Sequence, residues 1–328
     1  MNDSSGSIQT TLVALLFLLV GVVSSQAQSR EDVINSFNEG FALFNEQGDN
    51  MGAIEKFKET IELADRVGSE ANDIRERAVG QIPRLAFMHA AEFVRQRQLS
   101  EAIDAFHVAI ELADEFDDAQ ISQRARSNLP ALHLNLGNLF FRENDNEEAL
   151  EEYRKAVELN PSYVTAYYQK GLVHRRFGDL EKALENFDIS IDLAREAGDA
   201  ENVERSQRAA RDYLVFLAAD EIELENYNRA LDYLNLADGY GDNSNLHYRF
   251  AETYNYLGRH GDALASAQKA LELETGGAAD RARIFFELGV AHKMLGNNSQ
   301  ACTAFGNALV GDFRAPAEHF MEHELDCN

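Results

Sequence analysis

The sequence predicts an all-α fold, a solenoid of about seven stacked helix hairpins with a C-terminal capping helix, and three observations predict it. One unit recurs in register: Gly137 and Gly171 stand 34 apart, as do Ala149 and Ala183, and Tyr153 and Phe187. The composition, with 45% hydrophobic residues, only 4 Pro and no Trp, favours helix, because Ala, Leu and Glu form helices at little cost and Pro breaks them. An alanine marks the start of each second helix, at Ala53, Ala102, Ala149, Ala183, Ala230, Ala263 and Ala301. Such an array grows in one dimension, each unit resting on its neighbours, so 328 residues do not demand two separate cores.

Each element follows from local chemistry. The first hairpin reads FNEGFALFNEQGDNMGAIEKF over residues 37–57, and the second carries Ala90 where others carry glycine. The third and fourth run without interruption, PALHLNLGNLFFRENDNEEALEEYRKAVELNPSY over 130–163 and VTAYYQKGLVHRRFGDLEKALENFDISIDL over 164–193. Small residues such as Gly137, Ala149 and Ala156 let the two backbones of a hairpin approach closely. Larger ones, Leu136, Phe140, Tyr153 and Leu159, fill the gaps between hairpins, and Pro161 stops the second helix. The fifth and sixth hairpins keep mainly their second helices, RALDYLNLA and DALASAQKALEL; the seventh, at 282–309, restores Gly289, Gly296, Ala301, Phe305 and Ala308. The alanine spacings of 49, 47, 34, 47, 33 and 38 leave room for three alike linkers: ELADRVGSEANDIRERA, ELADEFDDAQISQRA and DLAREAGDAENVERSQRA. Each pairs an acidic or glycine break with an Arg-rich helical start. They read as lengthened helices rather than domain boundaries.

These residues resemble the tetratricopeptide repeat (TPR) family, whose unit has this length and this pattern of small and large positions. The resemblance spans about residues 34–310 and implies a right-handed superhelix that binds another protein without catalysing a reaction. In that family the first helix of each pair lines a concave groove. The residue three before the repeat glycine faces it, which places Leu134, Tyr168 and Phe286 there, with Phe87, Val215 and Tyr248 at the equivalent places. Phe141, Arg142, Arg175, Arg176 and Lys293 follow one turn on. The implied partner is a protein or peptide segment with an acidic or C-terminal carboxylate group, held by Arg142, Arg175 and Arg176. Two readings of the aromatics stay open: an exposed floor for the partner, or rings packed against the next unit. The family's carboxylate-tail clamp is matched at Asn138 but not at Leu134, Gln169 or Asp212.

Charge narrows the partners. With 56 acidic against 30 basic residues and a formal net charge of -26, the chain repels phosphate backbones and anionic membrane surfaces. No cofactor motif appears, and self-association through the groove or an end helix is the second expectation. Leu12 to Val23 is one unbroken apolar run followed by Ser25-Gln26-Ala27, too short to span a membrane. It reads as a secretory signal over 1–27, cleaved after Ala27, although no Lys or Arg precedes it. Residues 28–328 then form the solenoid, exported to the periplasm, the outer membrane or beyond, with the capping helix at about 315–326. Cys302 and Cys327 form an even pair in an exported chain, which reads first as a disulfide and otherwise as two thiols. His319 and His323, in the string HFMEH, offer a metal-binding alternative, and Asp238 to Asn243 forms a polar loop with oxygen ligands. His133, His174 and His292 read as packed residues rather than ligands. Asn297-Asn298-Ser299 is a glycosylation sequon that matters only in a eukaryotic secretory route.

Overall fold

The computed structural model describes residues 29–327, all helix, turn and connecting loop, with no strand among the described residues. The expected signal over 1–27 lies outside them. The chain divides into two compact units, one ending at Arg126 and one beginning at Ser127. The first holds α1 (Arg30–Gln47), α2 (Asn50–Val67), α3 (Asn72–Gln96), α4 (Leu99–Glu115) and α5 (Ala119–Arg126). Here α1 pairs with α2 and α3 with α4. The pair α1/α2 rests on α3, and α5 lies against α3 and α4.

The second unit holds α6 (Leu129–Glu143), α7 (Asn146–Leu159), α8 (Val164–Phe177), α9 (Leu180–Glu196), α10 (Ala200–Glu223), α11 (Tyr227–Asp238), α12 (Ser244–Tyr256), α13 (His260–Leu273), α14 (Ala278–Met294), α15 (Asn298–Asn307) and α16 (Arg314–His319). Consecutive helices pair as α6/α7, α8/α9, α10/α11, α12/α13 and α14/α15. Each pair packs its second helix on the next first helix, and α8, α10, α12 and α14 follow one another along one side. This is the stacked arrangement of an α-solenoid, held by contacts between neighbours only.

The periodic residues do what their size predicts. All seven marker alanines, from Ala53 to Ala301, have no exposed surface. A methyl group on Gly171 would lie 2.5 Å from the Phe187 ring, and one on Gly137 2.6 Å from the Tyr153 ring. Those two glycines therefore set how closely the paired helices approach. One expectation fails: Leu159 is 47% exposed, because α7 ends there and the chain turns away at Asn160 before the next helix can cover it.

Inside every pair the first helix ends on a residue in the left-handed region: Gly48, Arg97, Asn144, Gly178, Glu225, Gly258 and Gly296. The amide of the residue after it donates to a carbonyl in the last turn of the helix, as in Asp179 N–H to His174 O at 3.0 Å and Asn226 N–H to Glu221 O at 2.8 Å. This closes the helix with its carbonyls satisfied. Glycine adopts that conformation freely and other residues do so at a cost. Replacing the exposed Arg97, at φ 61, by glycine is therefore expected to stabilise the first unit by roughly 0.5–1 kcal/mol. Urea unfolding checks this, and a lowered midpoint would contradict it.

Two of the three linkers are lengthened helices, α3 with 25 residues and α10 with 24. The second differs. Asp117 turns left-handed at φ 56 and ends α4, with Asp118 N–H donating to Ala113 O at 2.8 Å. The Asp118 side chain then accepts from Ile121 N–H and starts the separate, short α5.

At the C-terminus a 3₁₀ turn (Gly311–Phe313) leads into α16 and a π-helical turn, Phe320–Glu324. Phe313, Phe320, Met321 and Leu325 close over Phe305 and Ala308. A disulfide joins Cys302 to Cys327, with Cα atoms 5.6 Å apart. Closing a loop of this length removes unfolded-state freedom equivalent to about 3.5 kcal/mol in the chain-entropy treatment. No described helix is long and apolar enough to cross a membrane.

Candidate protein-binding surface

The aromatic residues expected on the first-helix face are present, but most are roofed by a cation from the next element. In the first unit the Arg77 guanidinium lies 4.5 Å from the Phe37 ring centre, and Arg124 lies 4.6 Å from Phe87. In the second unit Arg205 covers Tyr168 at 4.3 Å, Arg283 covers Tyr248 at 4.7 Å and Arg176 covers Phe141 at 3.4 Å. A cation over a ring face contributes about 0.5–2 kcal/mol, more as water is excluded. Stacking thus repeats one device, in which a downstream cation clamps the upstream ring.

This resolves the two readings for most of the proposed groove residues in favour of packing. Leu134 and Tyr248 are buried, at 7% and 5% exposure, and Val215 belongs to the core around Leu214 and Leu246. Phe286 sits against Phe305, Phe313 and Phe320, because the capping segment closes over α14. Lys293 lies over the Phe320 ring and pairs with Glu324. Arg176 also donates to the Phe141 carbonyl at 2.7 Å and the Asn146 side chain at 3.0 Å, which makes it a bracket between α6 and α8. Asn138 accepts from Gln169 and from the Tyr153 hydroxyl.

Two of the expected cations remain open. Arg142 is exposed and, among the described residues, donates only to the carbonyl of Asn138 on its own helix. Arg175 is exposed, with its guanidinium 5.5 Å from the Tyr213 ring. Neither has a carboxylate at ion-pair distance among the described residues. Two further rings outside the sequence-based expectation are exposed, Phe177 at 47%, against His174 on its own helix, and Phe216 at 55% on α10. Along α10, Asp212, Phe216, Asp220 and Glu223 recur at spacings of three and four and are all exposed, so they share one face. The second unit therefore presents open cations in the last turns of α6 and α8, and on α10 an exposed stripe in which acids flank Phe216 on both sides.

The chemically suggestive residues elsewhere are held in other ways. His319 and His323 lie side by side with ring centres 5.1 Å apart, and His319 approaches Glu324 at 3.7 Å. In the polar loop, Asp238 and Asp242 come within 4.8 Å of His247, a residue beyond that loop in the sequence. The Asp242 carboxylate already meets His247 Nε2 at 3.0 Å and Lys269 Nζ at 3.5 Å, and the His247 hydrogen bond holds its pKa below the usual carboxylate range. His133 and His174 are buried, and His133 Nδ1 meets Glu152 at 2.6 Å inside the third pair.

One buried acid had no signal in the sequence. Glu287 on α14 is 8% exposed. The Asn255 side-chain amide from α12 donates to its carboxyl at 2.8 Å and to its carbonyl at 3.0 Å. Burial pushes the Glu287 carboxyl up to about 8, with nearby Glu252 adding to the effect and the Asn255 hydrogen bond and Arg249 opposing it.

Known proteins share the repeat. A family profile described as TPR repeat matches residues 137–178, and one described as Tetratricopeptide repeat matches 164–196 and 244–275. Among solved structures the chain is similar to MamA, at 18% identity over 61% of this chain and 97% of that one, with a TM-score of 0.38. It is similar to YrrB, described as a TPR protein with an unusual peptide-binding site, at 25% identity over 58% and 91%, with a TM-score of 0.36. A tetratricopeptide repeat protein from Parabacteroides merdae matches at 17% identity over 90% and 98%, with a TM-score of 0.29. At these scores the likeness carries no weight for function.

Proposed function

The chain belongs to the tetratricopeptide repeat family, and on that premise we propose that it is an exported, non-enzymatic scaffold that binds a protein segment. The segment lies across the first-helix face of the second unit, where Arg142 and Arg175 meet acidic groups and Phe216 meets apolar ones. The observation that carries this reading is the open charge of Arg142 and Arg175 in a chain of net charge -26. Exposed Arg and aromatic side chains are the residue types that anchor protein interfaces. Arg176 is left out of the anchor set because it holds α6 to α8.

The test is affinity capture from the source cells with the wild-type chain and with Arg142→Glu/Arg175→Glu. Proteins retained by the wild type are expected to be lost roughly a hundredfold in the charge-reversed chain, since like charges placed face to face disfavour association strongly. Arg195→Glu, on the second helix α9 beside Asp192, is expected to retain them. Equal capture by the charge-reversed chain rejects the surface.

Export is part of the same proposal. The apolar run with small residues before Gln28 supports it, as does a disulfide, a bond that persists in oxidising compartments. Purified from its own cells, the protein is expected to begin at Gln28. A mass that includes residues 1–27 would count against a cleaved signal.

A further inference from the structure

We propose that the segment bound along this face carries an arginine that packs on Tyr256 at the end of α12, where the acids Glu223 and Glu225 at the end of α10 pair with it. The proposal rests on the binding surface argued above and adds a second contact, of opposite charge to the first. The clamp pattern breaks at α12. A cation from a later element lies over Phe141, Tyr168 and Tyr248. Tyr256 instead stacks on Tyr227 of α11, with ring centres 4.6 Å apart and planes within 9° of parallel, and it stays 58% exposed. No cation lies over either ring among the described residues.

The break has a cause in the sequence. Tyr256 stands two residues before the left-handed Gly258, the place that Arg142 holds before Asn144, Arg176 before Gly178 and Glu223 before Glu225. Equal places on successive first helices lie in one row along the stack. On α14 that place belongs to Met294, two before Gly296, where α8 carries the Arg176 that covers Phe141. The adjoining Lys293 is turned to Phe320 and Glu324 of the capping segment. Cations near the pair in sequence are engaged as well: Arg229 with Glu221 and Tyr233, Arg249 with Glu252, and Arg259 with Asp262 and Tyr254. The acids are not. Glu223 and Glu225 are exposed, α10 and α12 are in contact, and neither acid has a basic group at ion-pair distance among the described residues. Partial burial raises the Tyr256 pKa first, and the charges on Glu252 and Glu225 add to it, which is the direction that nearby anions impose. An open ring face beside unpaired carboxylates attracts a cation through both the ring quadrupole and the charges. Arginine suits it, because its flat guanidinium stacks on a ring while its edge donates to carboxylates. The row therefore runs from Arg142 on α6 to an acid on α10 and a ring on α12. A segment lying along it is acidic toward the first and basic toward the last.

The experiment is fluorescence anisotropy at physiological salt, which screens diffuse attraction. The probe is a short fluorescein-labelled alanine peptide with arginines at alternate positions, compared with its citrulline counterpart, which keeps the shape and lacks the charge. Wild type is expected to bind the arginine peptide roughly tenfold more tightly than the citrulline one. Tyr256→Ala is expected to weaken binding roughly fivefold to tenfold, and Tyr256→Phe, which keeps the ring face, to stay within about twofold. Glu223→Gln/Glu225→Gln is expected to weaken it about fivefold. Asp232→Asn/Glu272→Gln removes the same charge from exposed places on the second helices α11 and α13 and is expected to bind as wild type does. Circular dichroism of each variant checks that the helices are intact. A wild type that ignores the arginine peptide overturns the proposal, and so does a Tyr256→Ala chain that binds it unchanged. Equal weakening by the two neutralised pairs also overturns it, because that marks attraction to net charge alone. The binding surface itself is judged separately. Arg142→Glu/Arg175→Glu keeps Tyr256 and both acids and is expected to bind the peptide at least as tightly as wild type. If that chain loses the captured proteins while peptide binding is indifferent to Tyr256, the scaffold reading stands and this contact falls.

Discussion

Phe187→Ala is expected to cost about 3–5 kcal/mol, the range for removing a fully enclosed aromatic ring from a packed core. Phe187 has no exposed surface. Its ring fills the space beside Gly171, where a single added methyl would lie 2.5 Å from it, and it packs on Ala183, Ala209, Ala210 and Tyr213. The cavity cannot collapse easily, because helices α8, α9 and α10 all meet there. In a stacked array the loss falls on the units that touch the site. Hydrogen exchange is therefore the right measurement, and protection in α8 and α9 should fall by roughly two to three and a half orders of magnitude. A fall of less than tenfold would show that the glycine and the ring do not form the tight seam described.

The second large effect is a pH dependence that Glu287→Gln should remove. The folded chain holds the Glu287 proton up to about pH 8, against an ordinary value of 4.5. Between those values the folded state carries a proton that the unfolded state has released, so stability is greatest below the lower value and declines as pH rises through the window. The slope approaches about 1.4 kcal/mol per pH unit, or roughly 2–3 kcal/mol between pH 6 and 8. Glutamine keeps the shape of the protonated acid and does not titrate. The variant should therefore match wild type near pH 5 and exceed it in stability at pH 8. Urea midpoints of both chains at the two pH values decide the matter; parallel profiles would mean that Glu287 ionises freely in place.

The hairpins were legible because close helix approach leaves a local mark. Gly137 with Tyr153 and Gly171 with Phe187 are neighbours within one unit, and only glycine opposite a ring satisfies that spacing. The same holds for the seven enclosed alanines. The binding face was less legible, since whether a ring is open depends on what the next unit lays over it. The partners Phe37 and Arg77, Phe87 and Arg124, Tyr168 and Arg205, and Tyr248 and Arg283 each lie a whole repeat apart along the chain. A signal did exist: the linkers begin their helices with arginines, and these are among the residues that cover the rings. Glu287 gave none, because an acid on a helix looks the same in sequence whether its face meets water or Asn255 of the neighbouring pair.

The cation clamp also gives each unit a direction. In four clamps that join residues a repeat apart, the ring belongs to the earlier element and the arginine to the later one, while Arg175 over Tyr213 runs the other way. A fragment that stops after α9 loses Arg205 and leaves Tyr168 bare to solvent, whereas one that starts at α10 keeps a charged, soluble arginine with nothing beneath it. Truncations from the tail should therefore expose rings that a later arginine covers in the intact chain. In the last pair the stacked Phe305 and Phe320 rings and the Lys293 ammonium over Phe320 supply this cover from the capping segment instead of from a later arginine.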